Sequence, residues 1–133
     1  MSVYRYAATL LDVSTPVNTA VEGDEYVVIP DDTDSAADHQ QTFKAFLHAT
    51  QDGGTTSPTT DVSLQTSADG ENWVTVAGTT QLTGDGAVDE LDSIAGLGRY
   101  VRAVTALGGA ANPDHTAKVV LVSDAPFRLV AAD

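Results

Sequence analysis

The apolar residues of this chain come only in short runs, each cut by Gly, Asp, Thr or Pro, and this texture constrains the fold more than any other feature. An amphipathic helix needs apolar positions at every third or fourth residue over ten or more residues, whereas a half-buried strand needs only a few alternating ones. Residues 42–50 show that alternation. Phe43, Ala45, Leu47 and Ala49 fall on one face, and Thr42, Lys44 and His48 on the other. Phe46 is an apolar exception on the polar face. The same reading predicts strands over 3–11, 25–29, 61–66, 73–79, 88–91, 99–107 and 115–123, with a last short run at 127–130 after Pro126.

Between the runs at 61–66 and 73–79, Asp69-Gly70 supplies the positive-φ residue that a tight hairpin needs. The stretch 51–60, rich in Gly, Thr and Pro, has nothing to bury and reads as an exposed, flexible loop. Gly108-Gly109 and Asn112-Pro113-Asp114 punctuate the C-terminal half. The fold class expected is therefore all-β: a single-domain β-sandwich, jelly-roll-like or immunoglobulin-like, of about eight strands, spanning 1–133. Residues 118–122 read Lys-Val-Val-Leu-Val, apolar on both faces past Lys118. Such a strand is central to a sheet or is covered by another chain.

Composition narrows function. A chain that is 42% hydrophobic and 19% charged is too apolar for a disordered tail. Six basic residues against nineteen acidic ones give a net charge of −13, which repels phosphate backbones and anionic lipid, so neither nucleic acid nor membrane is an expected partner. No apolar run approaches the roughly 20 residues that span a bilayer. The start Met1-Ser2-Val3-Tyr4-Arg5-Tyr6 lacks the charged-then-apolar pattern of a signal peptide, which predicts a chain neither exported that way nor anchored. Without cysteine there is no disulfide, thiolate metal site or catalytic thiol.

Candidate chemistry is sparse. Asp31, Asp32, Asp34 and Asp38 with His39 form one acidic group, and Asp85, Asp89, Glu90 and Asp92 a second. The first lacks the turn glycine of a calcium loop and neither ends in its correctly placed glutamate, so both read as solvated acidic loops. His39, His48 and His115 show no metal spacing, and His48 reads as a surface residue. There is no G-x-S-x-G elbow, and Gly53-Gly54 and Gly108-Gly109 lack the lysine of a phosphate loop. The expectation is a non-enzyme with no cofactor and no metal.

The most specific stretch is residues 62–77, LQTSADGENWVTV at its centre, followed by RYVRAV at 99–104 and KVVLVSD at 118–124. A hairpin there presents Trp73 for packing into a core, with Tyr100 beside it and Arg99 and Arg102 flanking. This pattern resembles the small β-sandwich cement or decoration proteins of tailed-phage capsids, the Bordetella-phage type among them, over about residues 42–123. The resemblance implies a virion structural protein on the outer capsid surface, assembled in the host cytoplasm. It implies a homotrimer whose partner is the major capsid protein and whose work is to clamp the shell. The hairpin also resembles the later half of discoidin-like modules, which implies carbohydrate binding as the alternative. The ends, 1–11 and 126–133, are candidate docking arms or else ordinary edge strands. The expected interface residues are Tyr4, Tyr6, Phe46, Val120, Val122, Phe127, Arg128 and Leu129.

Overall fold

The computed structural model describes residues 5–30, 42–52, 58–108 and 113–132, and among them there is no helix. Nine strands follow one another: β1 (Arg5–Val17), β2 (Tyr26–Pro30), β3 (Phe43–Asp52), β4 (Thr59–Ser67), β5 (Trp73–Gly78), β6 (Leu82–Thr83), β7 (Gly86–Ile94), β8 (Tyr100–Gly108) and β9 (Asp114–Ala131). All the pairings are antiparallel. They form one sheet in the order β5-β4-β8-β2-β9-β3-β7, with β1 added against β9 and β6 against β4. The all-β sandwich read from the sequence is the fold observed, curled until it is a nearly closed barrel.

The sheet turns its corner on β9. From Asp114 to Ser123 this strand pairs with β3, and from Phe127 to Ala131 with β2. Pro126, which has no N–H to give to a ladder, sits where one partner is exchanged for the other. The sequence broke this strand at Pro126, but here the proline bends one continuous strand. Opposite the bend, the register of β1 slips between Arg5, which pairs with Phe127, and Ala7, which pairs with Val122. Strands that change sheets at such bends make the corners of sandwiches. The described parts of both ends, β1 and the last residues of β9, are thus ladder strands and not free arms.

The core is built from alternate positions of the long strands. Ala45, Leu47 and Ala49 of β3 and Ala117, Val119 and Leu121 of β9 face Val62 and Leu64 of β4 and Val101 and Ala103 of β8. Phe127 fills the corner at 0% exposure, and Phe43 meets it edge-to-face with ring centroids 5.4 Å apart. A second register slip in β1, between Thr9 and Leu11, sends both Leu10 and Leu11 inward.

One end of the interior is polar and hydrogen-bonded internally, apart from His115 Nδ1, which has no partner among the described residues. Gln51, at the end of β3, donates its amide to the carbonyls of Pro58 and Gly84 and accepts from the Thr60 hydroxyl at 2.5 Å. It thereby ties β3, β4 and the β6–β7 turn together. His115 is buried beside them at 1% exposure, its Nε2 3.1 Å from Thr105 Oγ1, which also accepts the Val21 N–H at 2.8 Å.

Segment 21–23 lies so close along β8 that the Gly23 N–H reaches Ala103 O at 2.7 Å, and a Cβ on Gly23 would stand 2.7 Å from that same oxygen. Gly23→Ala should therefore cost about 1–3 kcal/mol through backbone displacement. Leu47→Ala, which empties a fully buried site, should cost about 2–5 kcal/mol. Gly96→Ala, where an added Cβ meets nothing, should stay within about 0.5 kcal/mol. Urea unfolding of the three variants checks this order.

Candidate functional site

Two surfaces carry chemistry or shape beyond the core. One is the outer face of β7, β3, β9 and β1; the other is the outer face of β4, β5 and β8.

On the first, strand alternation turns Leu91, Phe46 and Val120 outward, and the ladders put them side by side: Leu91 opposite Phe46, and Phe46 opposite Val120. Leu91 is 58% exposed and Phe46 36%, and Val120 and Val122 are half-buried. Phe46, the exception to its strand's pattern, is thus the middle of an apolar row on the outside of the sheet. One step along the strands, Asp89, His48 and Lys118 line up in the same way. His48 Nδ1 lies 2.6 Å from Asp89 Oδ1, so His48 is a surface residue as its alternation implied.

The expected interface residues part company here. Phe46, Val120 and Val122 come together on this face. Tyr6, 59% exposed, lies apart at the register slip of β1 beside the corner. Phe127 is a core residue, because the bend at Pro126 turns it inward to meet Phe43. Arg128 and Leu129 are half-buried in the ladder with β2. Tyr4 lies outside the described residues, as do Asp31, Asp32, Asp34, Asp38, His39 and residues 53–57 of the expected loop.

The second surface is built on the hairpin. Asp69-Gly70 forms its turn, Gly70 adopting φ 79°. Asp69 Oδ1 accepts the N–H groups of Asn72 and Glu71, both at 2.8 Å, and the Ser67 hydroxyl at 2.9 Å, while Oδ2 accepts the Asn72 side-chain amide at 2.8 Å. The Asn72 and Glu71 backbone donors, the Asn72 amide and the Ser67 hydroxyl hold the Asp69 carboxyl well below the usual carboxylate range. Trp73 and Tyr100 both stand in register with Ser67 on the outer face. Trp73 was expected in the core; it is half-exposed instead, because the β4–β5 register shifts between Leu64, which pairs with Ala77, and Gln65, which pairs with Thr75, so Ala77 faces inward and Trp73 outward. The Arg102 guanidinium lies 4.3 Å from the Trp73 ring centroid and donates to Gln65 Oε1 at 2.8 Å, with Glu22 at 3.5 Å and Glu25 at 3.9 Å. Arg99 lies over Tyr100 at 5.7 Å. The tryptophan–arginine stack closes the hairpin onto β8 from outside.

The second acidic group does structural work at the seam. Asp92 Oδ2 accepts the Gly78 N–H at 3.1 Å, and Glu90 accepts the Thr80 N–H and, at 3.4 Å, its hydroxyl. These carboxylates of β7 bridge to β5 and the residues after it, where the sheet falls short of closing. Their donors are backbone groups, a demand that acidic residue spacing alone does not reveal. Among the described residues no group of three or more His, Asp or Glu side chains is placed to hold a metal ion.

Because the folded-state pKa of Asp69 is depressed, its contribution to stability is complete above the unfolded value of about 4 and is lost as pH falls through the folded value. Melting curves from about pH 6 to pH 2 should therefore fall more steeply for the wild type than for Asp69→Asn. Parallel profiles would show that the turn does not depend on the ionised carboxylate.

Comparison with known proteins finds no matching family model, no matching curated protein and no matching solved structure, so the reading of both surfaces rests on the residues themselves.

Proposed function

We propose that this domain is a non-catalytic structural protein that docks onto other protein surfaces, and specifically a capsid decoration or cement subunit acting on the outside of a virion shell after assembly in the host cytoplasm. The observation that carries the docking role is the apolar row Leu91–Phe46–Val120 on the outside of a four-strand face in a chain of net charge −13. An acidic body repels other acidic surfaces, so it associates where charge is low and apolar area is exposed. The capsid assignment adds the resemblance of residues 42–123 to the tailed-phage cement proteins, with the major capsid protein as partner and a threefold arrangement on the shell. A mechanical clamp suits a body whose strands are joined through long ladders and whose seam is bridged by Asp92 and Glu90.

The test is co-sedimentation with shells assembled from the major capsid protein encoded in the same genome. The purified protein should pellet with the shells, saturate at a fixed ratio to capsid subunits, and raise the temperature at which the shells come apart. Failure to pellet at concentrations tenfold above the capsid subunits would refute the capsid assignment.

Carbohydrate binding has one observation in its favour: Trp73 stands on the surface and not in the core. One approach to its ring is already taken by Arg102 at 4.3 Å, which leaves less ring area for a sugar. Titration with neutral and acidic oligosaccharides should leave the emission of Trp73, the chain's single tryptophan, unchanged. A saturable shift that is lost in Trp73→Phe would favour the glycan reading instead.

A further inference from the structure

The carboxylates that bridge the seam close it along only part of β5. Across β5, β4 and β8, the inward row Ala77–Leu64–Ala103 is buried throughout. The next inward row, Val74–Thr66–Val101, is buried at Val101 and Thr66 but ends in Val74 at 61% exposure. Val74 is thus an inward side chain with no strand beside it. The seam contacts show why: Asp92 takes the Gly78 N–H and Glu90 the Thr80 N–H, so β7 runs antiparallel past the end of β5. Continued in that register, Ile94 falls beside Val76, and β7 ends there. Beyond it the chain has left the strand, and Gly96 stands in open space. Trp73, Val74 and Thr75 have a ladder with β4 on one side and, among the described residues, no backbone partner on the other.

This edge also lacks the lysines and prolines that ordinarily blunt one. Residues 73–77 read Trp-Val-Thr-Val-Ala, β-prone and uncharged. We infer that the first half of β5 takes up an extended strand from a partner protein, one with β-branched side chains at its centre and basic residues at its ends. The added strand pairs its backbone with the outward N–H and C=O groups of β5 and lays a side chain beside Val74. The basic ends follow from the charge around the edge. No lysine or arginine lies between Lys44 and Arg99, so β4 to β7 carry none. Glu71 stands just before β5, Asp92 and Glu90 stand at its far end, and Asp69 and Asp61 lie on the adjoining turn and strand. The nearest cations, Arg102 and Arg99, are laid over the rings of Trp73 and Tyr100.

A second copy of this chain does not fit the edge. Antiparallel pairing of two β5 strands about a two-fold axis sets Glu71 of each copy toward Asp92 and Glu90 of the other, with no cation on either edge to offset them. The inference goes beyond the docking role proposed above and does not rest on it. The Leu91–Phe46–Val120 row offers side chains on a sheet face, whereas β5 offers backbone groups on a strand edge.

The probe is a synthetic peptide, Lys-Thr-Val-Thr-Val-Thr-Lys, titrated into the isotope-labelled chain in about 0.15 M salt and followed by amide NMR. The amide shifts should centre on β5 and the adjoining residues of β4 and saturate below about 1 mM peptide, with slower exchange of the β5 amides. Lys-Thr-Pro-Thr-Pro-Thr-Lys, of equal charge but lacking N–H groups for a ladder, should bind at least about tenfold more weakly. Val74→Lys should weaken binding by about as much, with far-UV circular dichroism confirming the fold. Glu71→Lys should weaken the lysine-ended peptide and strengthen a glutamate-ended one, a swap that misfolding cannot imitate. No saturation by about 1 mM, shifts centred on the Phe46 row, or equal binding of the proline or glutamate-ended peptide overturns the inference. So does self-association of the chain that Val74→Lys abolishes, which would seat a second copy on the edge. No shell enters the assay, so failure here leaves the capsid assignment standing, and failure to bind shells leaves the strand site standing.

Discussion

Everything in this fold hangs on β9. Its eighteen residues hydrogen-bond to β3 and then to β2, and much of their length also pairs with β1. Its inward positions, from His115 through Ala117, Val119 and Leu121 to Phe127, form a continuous stripe against which β4 and β8 pack. Without it, the half of the sheet that holds β3 and β7 has no backbone connection to the half that holds β8 and β4. Because most pairings join residues far apart in sequence, the chain-closure cost is met only when β9, the last strand, docks.

The surface chemistry follows from how this sheet manages its edges. An open edge is a row of unpaired donors and acceptors that invites another strand. Here carboxylates of β7 take up donors at and beyond the end of β5, so acidic side chains close the seam that backbone pairing leaves open. The hairpin face is occupied in a different way, by arginines laid over Trp73 and Tyr100. Among the described residues, the outer face of β7, β3, β9 and β1 presents side chains and not backbone groups. That face is apolar at its centre and carries both lysines of the chain among several aspartates at its margins.

Much of this was legible in the sequence, for reasons that are local. The alternation of Phe43, Ala45, Leu47 and Ala49 gave β3 and its buried face, and Asp69-Gly70 gave the hairpin, because each depends on neighbours within a few residues. Phe46 broke its strand's pattern and is the middle of the exposed row, so the violation of a local rule showed in the sequence. The run 118–122 was central, as one of its two readings held, and its outward valines are also half-exposed. The misreadings are non-local. A proline ends a ladder with one neighbour, but nothing in the sequence says that a second neighbour waits beyond it, so β9 was cut and Phe127 was placed on the surface. Trp73 was expected to pack into the core from the hairpin, whereas its face is fixed by the shifted register of β5 on β4 and by Arg102, about thirty positions downstream. Glu90 and Asp92 looked like solvated charge because their donors, Thr80 and Gly78, are backbone groups brought near only by the curl of the sheet.

Amide hydrogen exchange resolved by residue decides whether β9 has this role. If β9 joins the two halves of the sheet, the amides of residues 116–122 and 128–130 should exchange only through global unfolding, with protection matching the unfolding free energy and as slow as any in β4 or β8. If the β9 amides exchange through a lower-energy local opening while β4 and β8 stay protected, the strand is a detachable cover and does not hold the sheet together.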